Sequence, residues 1–153
     1  MTKLIIPIEP KPQSRPRSSI KNNRIVVRED RNMRVWRRAC TMLVKNIYKG
    51  PFYETPIKVD VTFFMEAPEK LKKEPSERSR QSTKEKFIRF VNELIWHDKL
   101  PDIDNLVKSV FDSITKAKNV WSDDNIICYF VAKKVYSPNP RIEIEIEELK
   151  NDI

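Results

Sequence analysis

This chain is short of several things, and each shortage narrows what it can be. Its 153 residues include one glycine, one histidine and two cysteines. Cys40 and Cys128 lie inside apolar runs with no Cys-x-x-Cys spacing, so buried free thiols in a reducing compartment are expected. No apolar run approaches the roughly 20 residues of a membrane span, and the amino terminus lacks the apolar region of a signal peptide. A cytoplasmic protein without membrane contact is the expectation. There is no internal repeat. The length suits one domain, residues 1–153, large enough to bury roughly 68–70% of its unfolded surface without help from a disulfide or metal.

Charge, by contrast, is plentiful and uneven. The net charge is +8, yet residues 1–50 carry 13 Lys/Arg against 3 Asp/Glu, while residues 51–153 carry 17 against 19. A basic surface with a separate acidic pocket suits a polyanion that must be brought to a metal. An ordinary solvated basic surface is the alternative.

Local patterns suggest the elements. Lys3 to Ile8 reads as a strand, followed by an extended proline-punctuated loop carrying Lys11, Arg15 and Arg17. Residues 21–24 look like a turn before a short strand, Ile25–Val27. Asp30–Lys49 has helical periodicity: Trp36, Ala39, Cys40, Leu43, Val44 and Ile47 share one face, and Gly50 stands where a residue just past the helix end belongs. The opposite face carries Arg31, Arg34, Arg37, Arg38 and Lys45, either a solvated stripe or a phosphate-contacting one. Ile57–Met65 alternates as a half-buried strand. Residues 66–86 are charged and read as a mobile loop or exposed helix start, with a short amphipathic helix expected over Phe87–Trp96, so that 66–100 forms a charged insert. His97, near an acidic pair, is a ligand, a substrate contact or an incidental surface residue. Ile126–Val135 is continuously apolar, as in a strand buried on both faces. Arg141–Leu149 alternates strictly, Ile142, Ile144 and Ile146 inward, with the intervening glutamates discouraging edge-to-edge pairing. The order β–β–α–β–(insert)–α–β–β implies an α/β (α+β) single domain, a mixed sheet with helices packed on it.

The organising stretch is Pro101–Asn125, PDIDNLVKSVFDSITKAKNVWSDDN. Ile103, Leu106, Val107, Val110, Phe111 and Ile114 mark one face of a helix, with Asp104 on its flank and Lys108 one turn on. Each acid has a plain reading. One of Asp102 and Asp104 can be a helix N-cap worth about 1 kcal/mol. Asp104, Lys108 and Asp112 can be a ladder of ion pairs, and Asp123 and Asp124 can be turn residues. Against this, one cap leaves the second aspartate unexplained, and two carboxylates two residues apart in extended chain point the same way and repel unless a cation is present. If the chain folds back after Val120, Asp123 or Asp124 returns toward the helix start, and three carboxylates beside a lysine make an oxygen-lined site suited to Mg²⁺ or Mn²⁺.

The stretch resembles the core motif of the RusA family of Holliday-junction resolvases, which carries PD-x-DN-x₃-K at a helix start and W-x-DD before a strand. The match is dense from Pro101 to Ile127, and the proline-rich, arginine-bearing loop near the amino terminus is similar as well. The resemblance implies a small α/β fold and a homodimer that makes paired nicks in four-way DNA junctions with Mg²⁺ or Mn²⁺. By position it implies Asp102, Asp104 and Asp124 as metal-holding catalytic carboxylates and Lys108 as the catalytic lysine, with Asp123 an alternative to Asp124; Asp112 also falls on a family aspartate but projects away from the apolar face and is read as structural. Lys11, Arg15 and Arg17 would bind DNA phosphates. A nuclease of broader structure specificity and a non-catalytic DNA-binding protein are the rival readings.

Overall fold

The fold is taken from a computed structural model, which describes residues 1–13, 17–28 and 30–152. Four strands make a mixed sheet in the order β1 (Thr2–Ile6), β6 (Arg141–Glu148), β4 (Ile57–Met65), β5 (Ile127–Tyr136). Only the β4–β5 pair is parallel, since the chain leaves β4 and comes back to β5 through the helical region. One face of the sheet is covered by α1 (Arg31–Ile47) and α4 (Ile103–Ala117). Along β4 every second residue, Ile57, Val59, Val61, Phe63 and Met65, is buried, and Ile142, Ile144 and Ile146 of β6 lie beside them with no exposure. Burying a side chain of this kind contributes roughly 1.5–3 kcal/mol, so this double row dominates the core.

The glutamates of β6 have a different job from the one expected of them. β6 is an inner strand, flanked by β1 and β4, so its acids guard no edge. Glu143 instead pairs with Lys3 at 3.3 Å and with Arg141 at 2.6 Å on the face away from the helices.

The edge strand β5 also departs from expectation. It is not buried on both faces: Cys128, Tyr129, Phe130 and Val131 are exposed, the last three by 54%, 53% and 39%. Of the two thiols only Cys40 is buried, which pushes its pKa up to about 11. A run of apolar residues reports that a strand should be covered; it does not report what covers it.

Smaller differences have local causes. Strand β2 (Arg17–Lys21) pairs with β3 (Arg24–Arg28) across Asn22 and Asn23, both left-handed, in the two-residue turn that asparagine tolerates. RSSIK has too little apolar alternation to reveal β2 in the sequence. Helix α1 stops before an extended Tyr48, so Gly50 is not its left-handed terminator. Gly50 is required by space: an added Cβ would lie 2.7 Å from Thr2 Cγ2 and 2.8 Å from the Tyr48 hydroxyl. On α1 Met33 joins Trp36, Cys40 and Val44 inside, while Ala39 and Ile47 are exposed. The charged insert holds α2 (Glu69–Lys72) and α3 (Gln81–Val91), so its helix starts earlier and ends sooner than Phe87–Trp96. Only Phe90 of α3 is buried, and Val91 and Leu94 are exposed.

Candidate metal and nucleic-acid site

Helix α4 carries the acidic motif because its two sides differ. Leu106, Val107, Val110, Phe111 and Ile114 are buried against the sheet, and Asp102, Asp104, Lys108 and Lys116 are exposed. Asp104, Lys108, Asp112 and Lys116 recur every fourth residue, so they form one ridge climbing about 6 Å per step. Among the described residues neither Lys108 nor Lys116 forms an ion pair, so the ladder that would explain these charges structurally is not made.

The start of α4 is held from three directions. Asp102 occupies the N-cap position, but its side chain caps nothing and its oxygens stay available. Asp104 Oδ1 accepts only the neighbouring Asn105 N–H, at 3.0 Å. Lys134 of β5 donates to the carbonyls of Lys99 and Pro101, at 2.6 and 2.5 Å, and so ties down the segment from which Asp102 emerges. From the other side, Gln13 N–H donates to the Asn105 carbonyl and Ser109 Oγ donates to the Lys11 carbonyl, at 2.9 and 2.6 Å. The proline-punctuated loop therefore lies across the first turns of α4, with the Lys11 backbone held at Ser109. Arg15 and the Arg17 side chain fall outside the described residues.

The second acidic pair arrives by a different route. Lys118, left-handed, ends α4, and the chain is pinned by Trp121, which is fully buried. Its indole N–H donates to Thr115 Oγ1 at 2.8 Å, its ring meets Phe111 edge-on at 5.7 Å, and Tyr53 bonds Val120 and Ser122 on either side. Asp123 then spends an oxygen capping the 3₁₀ turn Asp124–Ile126, accepting the Asp124 N–H at 2.8 Å. Burial, Asp123 and the charge of Asp112 together push the Asp124 carboxyl above its ordinary value. The fold thus sets Asp124 against Asp112, about 12 Å along the helix from Asp104, with Lys108 between the two acidic groups. Asp112 was read from the sequence as structural. Its proximity to Asp124 depends on the return path of the chain, which no local pattern discloses.

His97 is not a surface residue. It is buried, its ring sits 4.7 Å from that of Tyr136, and its backbone N–H donates to the Lys134 carbonyl. Burial and the Lys134 charge lower its pKa. It packs under the strand that holds Lys134.

Among the described residues no three of His, Cys, Asp and Glu gather as one cation cage. The donor set nevertheless suits a hard cation, because the acids are exposed or half-buried aspartates that form no ion pair among the described residues, and the charges of Asp123 and Asp112 add to burial in raising the pKa of Asp124. Mg²⁺ retains several waters and is usually bound through one or two carboxylates and substrate phosphates, so a closed cage is not needed.

Residues 7–147 match the family Endodeoxyribonuclease RusA. The chain belongs to the RusA family. It is also similar to the uncharacterized protein YqaN of Bacillus subtilis (strain 168), 26% identical over 141 residues and 92% of each chain. A shorter match, 46% identical over 54 residues, is to the crossover junction endodeoxyribonuclease rusA of Lactococcus phage r1t and covers 35% of this chain and 40% of the phage protein. RusA membership makes the chain a nuclease acting on DNA, and the mixed sheet under two helices is in keeping with that family.

Proposed function

We propose that the protein is a Holliday-junction resolvase that uses Mg²⁺ or Mn²⁺ and nicks opposed strands of a four-way DNA junction as a homodimer. The observation that carries the reading is the start and ridge of α4 with the turn that follows it: among the described residues Asp102, Asp104 and Asp124 have no ion-pair partner, and neither has Lys108 on the ridge between them. Asp102 and Asp104 would hold the metal directly, and Asp124, set about 12 Å along the helix, would act through metal-bound water or the substrate phosphate. Bound there, the metal would lower the pKa of a hydrolytic water and neutralise phosphoryl charge. The chain's own contribution is to place the scissile phosphate. Lys108 offers a cation to the extra negative charge that develops as water attacks phosphorus and the bond to the leaving oxygen breaks. Lys134, through the Lys99 and Pro101 carbonyls, keeps Asp102 in position. Lys11, Arg15 and Arg17 grip phosphates flanking the cut.

The dimer is supported by β5. Residues 95–97 pair with the far end of β5, and the stretch of its edge ahead of them, bearing exposed Tyr129, Phe130 and Val131, is a surface that a second copy would cover. Two active ridges related by a two-fold axis suit two opposed nicks in a junction of near two-fold symmetry.

The decisive assay is cleavage of an end-labelled four-way junction and of a matched linear duplex, each in Mg²⁺ and in EDTA. Paired symmetric nicks confined to the junction and absent in EDTA are expected. Tight binding without nicks would replace this reading by a DNA-binding module, and nicks in flaps and junctions alike would replace it by a broader nuclease.

A further inference from the structure

One feature of the fold has no part in the acidic ridge. Helix α1 has five basic residues, Arg31, Arg34, Arg37, Arg38 and Lys45, and no acid over its 17 residues. Arg31, Arg34, Arg38 and Lys45 are exposed, and among the described residues none of them forms an ion pair. Arg34, Arg38, Lys45 and Lys116 line a groove of about 410 Å³ whose walls include no carboxylate. Four cations unpaired along one trough repel one another, and an anionic partner removes that cost.

The path of the groove identifies the partner. Arg37 Nη2 donates to the Gln13 side chain at 2.5 Å, beside the start of α4; Thr41 Oγ1 donates to the Ser113 carbonyl; and Asn119 Nδ2 reaches the Val44 and Lys45 carbonyls beyond the helix end. Helices α1 and α4 therefore run side by side in the same direction. Lys116, the last step of the ridge that begins at Asp104, is also a wall of the groove. A polyanion lying over Lys108 is thus led along the ridge to Lys116 and onto α1. From Arg31 to Lys45 the basic face extends about 21 Å, which matches about six base pairs of duplex at 3.4 Å each. A single metabolite phosphate would need one such contact rather than a line of them.

We infer that the α1–α4 groove is a sequence-independent track for the sugar-phosphate backbone of one duplex arm leading away from the nicked site. This rests on the nuclease reading above and adds to it where an arm lies. Arg34, Arg38 and Lys45 act in binding alone and touch no reacting atom.

The test compares the wild-type protein with a variant carrying Arg34→Gln, Arg38→Gln and Lys45→Gln. Binding to a fluorescent four-way junction is followed in EDTA over a range of salt, and hydroxyl-radical footprints are taken on the junction arms. All three side chains are exposed, so an unchanged thermal melt is expected; a second variant, Lys45→Gln with Lys116→Gln, tests the far end alone. The salt slope should fall by up to about 2.7, near 0.9 per lost phosphate contact. The wild-type footprint should reach about six base pairs from the branch and retreat toward it in the triple variant. An unchanged slope and footprint, with wild type still binding and nicking junctions, overturns the track alone. A wild type that neither binds nor nicks junctions overturns the nuclease reading and the track with it.

Discussion

Two clusters of half-buried or exposed carboxylates show opposite electrostatic treatment. At the outer end of the sheet, Glu93 accepts Arg141 Nη1 and Nη2 at 2.7 and 3.1 Å and Ser137 Oγ at 2.6 Å. Arg141 also donates to Glu143 at 2.6 Å and lies 3.7 Å over the Phe64 ring. Burial alone would raise the Glu93 pKa, but the hydrogen bonds from Arg141 and Ser137 and the Arg141 charge leave it below its ordinary value. On the α4 side, Asp124 faces burial and two more acids with no such cation, and its pKa is raised. The first cluster holds its counter-ion within the fold and serves structure. The second leaves charge for something outside the chain to neutralise, which is the condition of a site rather than of a brace.

The comparison can be sharpened by removing charge from each cluster in turn. Asp104→Asn and Asp124→Asn should each lower junction cleavage by on the order of 10²–10³-fold, the size expected for losing one preorganised charge-stabilising group. Junction binding should hold or strengthen, because negative charge near phosphate is removed; cleavage at the wild-type rate would take both residues out of the site.

A smaller effect, on stability instead of cleavage, is expected from Glu93→Gln. It should cost about 1–2 kcal/mol, since Arg141 loses a charged bidentate partner at a site still partly open to water. Cleavage should be unchanged. The sign of the pH dependence follows from the depressed pKa of Glu93: its contribution is present above the ordinary carboxylate range and disappears as pH falls through its folded value. The wild-type advantage over the variant in thermal melts should therefore shrink on acidification, and an advantage constant with pH would contradict the pairing.

The smallest expected effect belongs to Asp112→Asn. Asp124, with its pKa raised, costs stability at neutral pH, and that cost fades as pH falls through its folded value. Removing the Asp112 charge should lower the Asp124 titration and stabilise the EDTA-treated protein at pH 7 by well under about 1 kcal/mol after solvent screening. Carboxyl NMR of Asp124 reads the shift directly, and an unmoved titration would mean that the two acids do not interact.

Much of this was legible in the residues themselves. Strict alternation marked β4 and β6, and the 3.6-residue repeat marked α1 and α4, because periodicity records which side of an element must leave water. The motif from Pro101 to Asp124 named the candidate acids and lysine before any coordinates. What periodicity cannot record is the identity of the neighbour. That β5 is an exposed edge, that β6 is an inner strand, that the Asp112 charge acts on Asp124 and that Lys134 holds the carbonyls ahead of Asp102 all depend on bringing together segments as far apart in the chain as Thr2 and Ile146. Side-chain pattern determined which residues would be hidden and which would carry charge. Only the tertiary path decided which charges would be answered by another residue of the chain, because a counter-ion acts over a few ångströms in space and has no fixed spacing in sequence.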